Sequence, residues 1–500
     1  MYHSRRPAPG SVIVLLLLVA TARGFAQQAV YEITAVDYHI EGRTRQFALE
    51  TVVDLEPGLL FTSRDELEFF LADQQQLLIN QRPLAEARLE YTARPVGPDR
   101  YAVEVDVHTR DSWNIIALPY FRYSSDDGLL LSLRGRDYNF FGTLERLAVN
   151  LDWENEKPGD GLTNVDELNL NWSFSWPFQW HGYDWRWDVK GELAYLPNDT
   201  DEYNFETALG ITFPWLFGLD WTATYIQALD IRRGDKPDSD GLKPDTYWVT
   251  PGVRLGTTVP TGWMLGTLGE IRYNPRGTAR YPYAPGLSEG RRGPIVDFTH
   301  SLSAGRVNWI GNFRDGTIAE LTNSNELNLY RALGASNLEP WDRVVEAELR
   351  SYGAYLTDAL FPVGLSARVG VFGDLDGSDQ INDRVRGIIK RVDGEDRLRG
   401  EYGAYANVDL AVSVFRWGRF AEGQGAVFLD VGATGNLEDG LIDPDDILFG
   451  GGIEIFGFPL FSRALYLRAS LGFDLRAVVD ETTLRGSEKR DIFIGLDHHY

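Results

Sequence analysis

Arg386 and Asp430 are the two residues whose types and settings point most directly to a task. Arg386 lies in Arg384-Val385-Arg386-Gly387-Ile388, inside a polar loop flanked by Asp374-Leu375-Asp376-Gly377 and Asp393-Gly394-Glu395-Asp396. Asp430 lies in Phe428-Leu429-Asp430-Val431-Gly432, inside a segment that alternates as a strand does. A guanidinium stays ionised at any working pH and grips a carboxylate through two parallel hydrogen bonds. A charged loop cannot face lipid, but it can lie at that depth when wrapped in protein with its charge paired. The expected arrangement is a long loop folded back into a closed barrel, Arg386 held by Asp430 on the wall. Gly387 lets the loop turn tightly there.

Other residues with chemical content carry less. Gly286-Leu287-Ser288-Glu289-Gly290 fits the Gly-x-Ser-x-Gly pattern. That chemistry needs a strand before it and a helix after it. Tyr283-Ala284-Pro285 and Arg291-Arg292-Gly293-Pro294 make both flanks loop, so no hydrolase is expected. Asp374, Asp376, Ser378 and Asp379 could gather calcium, but the glycine and distal glutamate of a helix-loop-helix calcium site are misplaced. His498 and His499 point to opposite faces of a strand end. No metal, cofactor or catalytic residue is expected.

The elements that would position such a pair follow from the rest of the chain. Five hundred residues suit a small domain plus a large barrel. A net charge of -25 argues against a nucleic-acid partner and fits solvated acidic loops. With 14 Trp, 23 Tyr and 26 Phe, the chain can build aromatic rings at two membrane interfaces. It has no cysteine, hence no disulfide framework. Arg5-Arg6, the apolar run from Val12 to Ala20 and the small-residue end at Ala26 have the layout of a secretory signal over 1–26. After it, no apolar run is long enough for a membrane helix.

Residues 29–111 read as a small α/β domain. The pattern predicts a strand over Ile33–Ile40 with Thr34, Val36, Tyr38 and Ile40 on one face. A short helix over Phe47–Leu55 stops at Pro57-Gly58. Ser63 and Glu66 form a capping box for a helix carrying Leu67, Phe70, Leu71, Leu77 and Leu78. Two strands follow, Ala85–Tyr91 and Tyr101–Val107, with a turn over Pro95–Asp99. From 112 to 500 the helical period vanishes. Alternating segments of about ten residues recur, with aromatics near their ends. Leu168, Leu170, Trp172, Phe174 and Trp176 make one apolar face, and Phe205, Leu209, Ile211 and Phe213 another. Short connections (177–182, 259–262, 357–362) alternate with long charged ones (232–245, 274–292, 373–398), as in an outer-membrane barrel. Counting segments gives about eighteen strands. The last segment, Asp491 to Tyr500, carries Ile492, Ile494, Leu496 and Tyr500 on one face.

Four places together resemble the BamA/TamA-type superfamily of outer-membrane assembly and translocation proteins. They are the β-α-α-β-β order, similar to a periplasmic POTRA domain; Asp137-Tyr138-Asn139-Phe140-Phe141-Gly142; Val385-Arg386-Gly387-Ile388, with Ile388 where the family has an aromatic; and Phe428-x-Asp430-x-Gly432. The resemblance implies a mainly β protein, a 16-stranded antiparallel transmembrane β-barrel behind one POTRA-like domain. Two segments between Phe298 and Val371 then count as misassigned strands. It implies that Arg386 pairs with Asp430. It implies a weak seam between the first strand, Trp113–Phe121, and the last, with Ile492, Ile494, Leu496 and Tyr500 forming the C-terminal insertion signal. His498 departs from the apolar residue usual there. The implied partners are outer-membrane lipid, unfolded or nascent outer-membrane or secreted clients, and periplasmic accessory proteins. The implied place is the outer membrane, with the N-terminal domain in the periplasm. One such domain, where the general assembly factor has several, leaves a narrower client or a lipid-related role open. A diffusion porin with a periplasmic appendage is the alternative.

Overall fold

The computed structural model describes residues 29–124, 128–156, 165–196, 201–233, 246–285, 287, 291–335, 339–375, 379–380, 384–388, 391–392, 395–396, 398–418, 420–438, 440, 442, 446–476 and 490–496. The signal-like residues 1–26, Ser288, Asp376, Ser378, the two C-terminal histidines and Tyr500 lie outside them.

The N-terminal unit runs β1 (Val30–Glu41), α1 (Gln46–Glu50), β2 (Leu60–Phe61), α2 (Arg64–Ile79), β3 (Leu84–Gly97) and β4 (Arg100–Asp111). The sheet order is β2-β1-β4-β3, with β1 parallel and β3 antiparallel to β4. Ile33, Leu49, Leu67, Leu78, Leu84, Val103, Val105 and Val107 bury the face that meets the helices. Two expectations need correcting. Thr34 does not share a face with Val36, Tyr38 and Ile40: a bulge between Ile33 and Ala35 shifts the parity and sends Ile33 into the core. The first helix ends at Glu50, and Val53 and Leu55 reach the core from an irregular segment. At α2, Ser63 accepts a hydrogen bond from Glu66 N at 3.1 Å. The Glu66 carboxylate in turn takes bonds from Thr62 N at 2.7 Å and Thr62 Oγ1 at 2.8 Å. The cap is therefore shifted by one residue from the ideal box.

The remainder is a large antiparallel sheet of eighteen strands. They are β5 (Ile115–Ser124), β6 (Gly128–Asp137), β7 (Leu147–Glu156), β8 (Val165–Trp180), β9 (Tyr183–Tyr195), β10 (Asp201–Pro214), β11 (Asp220–Arg233) and β12, in two pieces, Thr246–Thr257 and Val259–Met264. Then come β13 (Glu270–Arg280), β14 (Ile295–Ile310), β15 (Phe313–Asn328), β16 (Trp341–Tyr355), β17 (Val363–Asp374), β18 (Tyr402–Trp417), β19 (Ala421–Gly435), β20 (Leu448–Pro459), β21 (Leu467–Asp474) and β22 (Arg490–Leu496). Each pairs with its sequence neighbour, and β22 stands next to β5 in the strand order. The count of 16 is thus wrong, and the four segments between 295 and 374 are all strands. The alternation was the better guide there. Several loop boundaries also move, among them 177–180, which belong to β8. Residues 259–262 are strand, because Val259 and Pro260 pair with Tyr273 and Arg272, and the turn comes at Leu265–Gly269. Residues 274–280 are strand as well, so that connection starts at Tyr281.

The turns 138–146, 311–312 and 460–466 lie against the N-terminal unit and mark one end of the sheet. Asp111, the last residue of β4, accepts from Arg43 N at 2.7 Å, Thr44 N at 3.1 Å and Asn139 Nδ2 at 3.1 Å. Asn139, fully buried, also donates to Thr44 Oγ1 at 2.8 Å and accepts from Leu144 N at 2.9 Å. The turn sequence Asp137–Gly142 is therefore a joint between the two units. On the far side, Arg82 donates to Gly311 O at 3.1 Å and Asn312 Oδ1 at 3.2 Å, its guanidinium 4.3 Å from the Trp309 ring centre. Burial pushes Arg82 down to about 9, with the nearby charges of Arg463 and Arg314 adding to the effect. It stays a cation at neutral pH. Arg306 pairs with Asp73, and Arg463 donates to Leu84 O at 3.1 Å.

Candidate functional site

Residues 384–388, in the connection between β17 and β18, lie against the inner face of the sheet. Strand parity sets their seat. Along β18, Tyr405, Asn407 and Asp409 face inward while Val408 and Leu410 are exposed outside. Along β19, Phe428 and Asp430 face inward while Val427 and Leu429 are exposed. Arg386 is brought against Asp430: Nε donates to Oδ2 at 2.8 Å, Nη2 to Oδ1 at 2.8 Å, and the Arg386 backbone N–H to Oδ2 at 2.6 Å. Arg386 is 7% exposed and Asp430 0%.

Two more acids share the guanidinium, neither singled out by the sequence reading. Nη2 donates to Asp409 Oδ1 at 2.5 Å, and Nη1 lies 3.3 Å from Glu454 Oε2. Glu454 in turn accepts from Arg468 Nε at 3.1 Å and from Arg468 Nη2. Phe428 lies under the flat face of Arg386, 4.2 Å from ring centre to guanidinium carbon. Charges this deep persist only when paired and hydrogen-bonded, since each loses its water. The only sign of the extra members is strand parity, which places Glu454 and Arg468 at inward positions of β20 and β21.

The loop backbone is held as closely as its side chain. Asn407 Nδ2 donates to Arg384 O at 2.8 Å. Arg384 pairs with Glu346 at 3.0 Å. Gly387 has φ +74°, and a side chain there would meet Phe473 N at 2.9 Å. A side chain on Gly472 would meet Gly387 Cα at 2.6 Å, and one on Gly450 would strike the Arg386 carbonyl. Gly450 and Gly472 therefore thin two neighbouring strands to admit a second backbone. Val385 and Ile388 are buried with Phe372, Leu398, Tyr405 and Leu448. Ile388 shares this apolar cluster with the Phe372 and Tyr405 rings, where the resemblance places an aromatic. Gly432 is buried and stands between Tyr405 and Leu448 in the ladder.

The residues expected at the seam are not gathered in this way. Trp113 precedes β5 rather than lying in it. Ser112 N donates to Pro83 O at 2.8 Å and Asn114 Nδ2 to the same oxygen at 3.2 Å, which ties this stretch to the N-terminal unit. Trp113 N–H donates to Phe461 O at 3.1 Å, in the turn between β20 and β21. Ile492, Ile494 and Leu496 lie on β22 opposite Leu471, Ala469 and Leu467 of β21.

A cavity of about 140 Å³ lies beneath the charge cluster, bounded by Arg386, Asp409, Glu454, Phe456 and Tyr466. A second, of about 730 Å³, lies along β10–β15 and is lined by Thr212, Thr222, Asn274, Thr299, Ser301 and Thr322. Among the described residues, no group of three His, Asp or Glu side chains is placed to hold a metal ion.

No family model matches the chain, and no curated protein matches it. Among solved structures, CdiB from Acinetobacter baumannii is similar at 11% identity, covering 89% of this chain and 70% of that one, with a TM-score of 0.46. BamA from Haemophilus ducreyi lacking POTRA domains 1-3 is similar at 12% identity, 92% and 83% coverage and a TM-score of 0.37. The copper transporter OprC is similar at 12% identity, 79% and 67% coverage and a TM-score of 0.33. At this distance, a reading of function has to rest on the chain's own residues.

Proposed function

We propose that this chain is a non-enzymatic outer-membrane β-barrel protein that inserts or translocates protein substrates. In this reading 112–500 form a closed transmembrane barrel, 29–111 a periplasmic POTRA-like receptor and 1–26 an export signal. The observation that carries it is the loop fastened inside the sheet by Arg386. A loop that lies within the barrel and is held by a few buried ion pairs is a plug with a defined release point. The outward faces of the strands are apolar, as lipid requires. Turns on the side of the N-terminal unit, such as 181–182 and 311–312, are short, and connections on the other side, such as 375–401, are long. The N-terminal sheet ends in β3, whose outer edge can accept a strand from an extended client. A weak β22–β5 seam would offer a second template of the same kind.

Depletion of the protein in its own cell, followed by quantitation of the outer-membrane proteome, tests this reading. A fall in other barrels or in one surface protein is expected, and an unchanged proteome contradicts it. A diffusion pore is the second reading, favoured by the polar cavity along β10–β15, lined by hydroxyls together with Asp220, Arg276 and Glu320. Steady, large conductance in planar bilayers that is insensitive to Arg386→Ala would select it.

A further inference from the structure

The turns at the end that meets the N-terminal unit carry large apolar side chains where a water-facing turn would carry polar ones. Phe217, between β10 and β11, is 90% exposed, and Leu360, between β16 and β17, is 85% exposed. Trp263, at the end of β12, is 72% exposed. A second, independent observation concerns the backbone. Phe141 (φ 53°), Phe217 (φ 63°) and Leu356 (φ 54°) adopt left-handed conformations. Glycine takes that conformation freely and asparagine or aspartate at small cost, whereas a bulky side chain is disfavoured there. So at three turns of the same end, the chain holds a strained bulky apolar residue at the tip.

Phe217 and Leu356 gain little from the protein, being mostly exposed. Their tips continue a band of aromatics on the outer wall. Phe141 lies 5.5 Å from Trp176, and Trp215 lies 6.1 Å from Phe213 and 5.6 Å from Trp221. Aromatic rings favour the region between headgroups and acyl chains, where an apolar body and a polar edge are both satisfied. A surface that is apolar, rigid and continuous with a lipid-facing wall fits lipid better than water.

We propose that these turns are immersed in the glycerol and upper acyl region of the phospholipid leaflet, so that the barrel is seated deep on this side. The N-terminal unit, bonded to the neighbouring turns through Asn139, Arg82 and Arg463, is thereby held against the leaflet surface. This inference rests on the membrane-barrel reading above. The absence of cysteine makes single labelling sites straightforward. Full-length protein carrying Phe217→Cys, Leu360→Cys, Leu209→Cys on the outer wall or Asp65→Cys on α2 is spin-labelled and placed in phosphatidylethanolamine–phosphatidylglycerol vesicles. Collision of the label with oxygen is compared with collision with a water-soluble nickel chelate. At Phe217 and Leu360 the oxygen-to-chelate ratio is expected several-fold above that at Asp65, with a shallower depth than at Leu209. Water-like ratios at Phe217 and Leu360 with a lipid-like Leu209 overturn this inference and leave the barrel standing. That outcome also covers turns that wait for a protein partner. A water-like Leu209 removes the barrel reading, and this inference with it.

Discussion

Two sides of the same sheet obey one rule, polar residues inward and apolar residues outward, yet build opposite interiors. Along β17–β21 the inward positions hold Asp409, Asp430, Glu454 and Arg468, and the loop backbone lies against the glycines at 450 and 472. Along β10–β15 the inward positions mix hydroxyls and amides that bond across strands with ion pairs made within the wall, such as Arg232–Glu202 and Arg280–Glu326. Thr212 meets Thr222 at 2.9 Å, Thr299 meets Ser324 at 3.0 Å, and Asn274 Nδ2 donates to Ser303 Oγ at 3.3 Å. These groups find their partners within the wall itself, and a cavity of about 730 Å³ lies beside Thr212, Thr222 and Asn274. Buried carboxylates require a cation, and glycine-thinned strands leave room for the backbone that brings it. Strand parity sets which residues face inward, and their chemistry sets whether that side is plugged or wet.

The sharpest way to break this contrast is to remove the cation. Arg386→Ala leaves Asp409, Asp430 and Glu454 without their shared partner, and it is expected to cost about 3–5 kcal/mol, read from the midpoint of unfolding in urea. Gly450→Ala forces a methyl group against the Arg386 carbonyl and is expected to cost about 1–3 kcal/mol in the same assay. Asn139→Ala removes a buried amide that links the two units and is expected to cost about 1–2 kcal/mol. It should speed amide exchange in the 138–146 turn and in β4 while leaving the loop protected. Thr322→Val, on the wet side, is expected to change stability by no more than about 0.5 kcal/mol. A large loss there would mean that the two sides are not different in kind.

The smallest expected effect depends on pH and lies outside the sheet. Hydrogen bonds from Thr62 hold the Glu66 carboxyl below its ordinary value of 4.5. A depressed value means that the contribution is complete above the ordinary range and is lost as pH falls through the depressed one. Amide exchange at the start of α2 should quicken over that acid window, and Glu66→Gln should remove the pH dependence.

Much of this was legible in the sequence, for reasons that differ from place to place. Arg386 and Asp430 stood out because a charge in an infolded loop needs a partner. Asp409, Glu454 and Arg468 obey the same parity and were overlooked, since a single inward charge on a strand carries no label. Gly450 and Gly472 admit the loop backbone, but a glycine within a strand names no guest. Alternation alone gave about eighteen strands, and the resemblance displaced a sound count with a smaller one. Thr34 was misplaced because one bulge inverts the faces of everything beyond it. The joint of Asp111, Thr44 and Asn139 was invisible, because it joins residues whose separation in the chain no local pattern records.

The central claim, that Arg386 fastens the loop inside the sheet, is tested most directly by trypsin cleavage after Arg384. The substrate is the full-length protein in lipid vesicles, wild type against Arg386→Ala. The loop should resist cleavage there in the wild type, where Arg384 is tied to Glu346 and Asn407, and should be cut readily in the variant. Equal resistance in both would show that the loop is held by something other than this arginine.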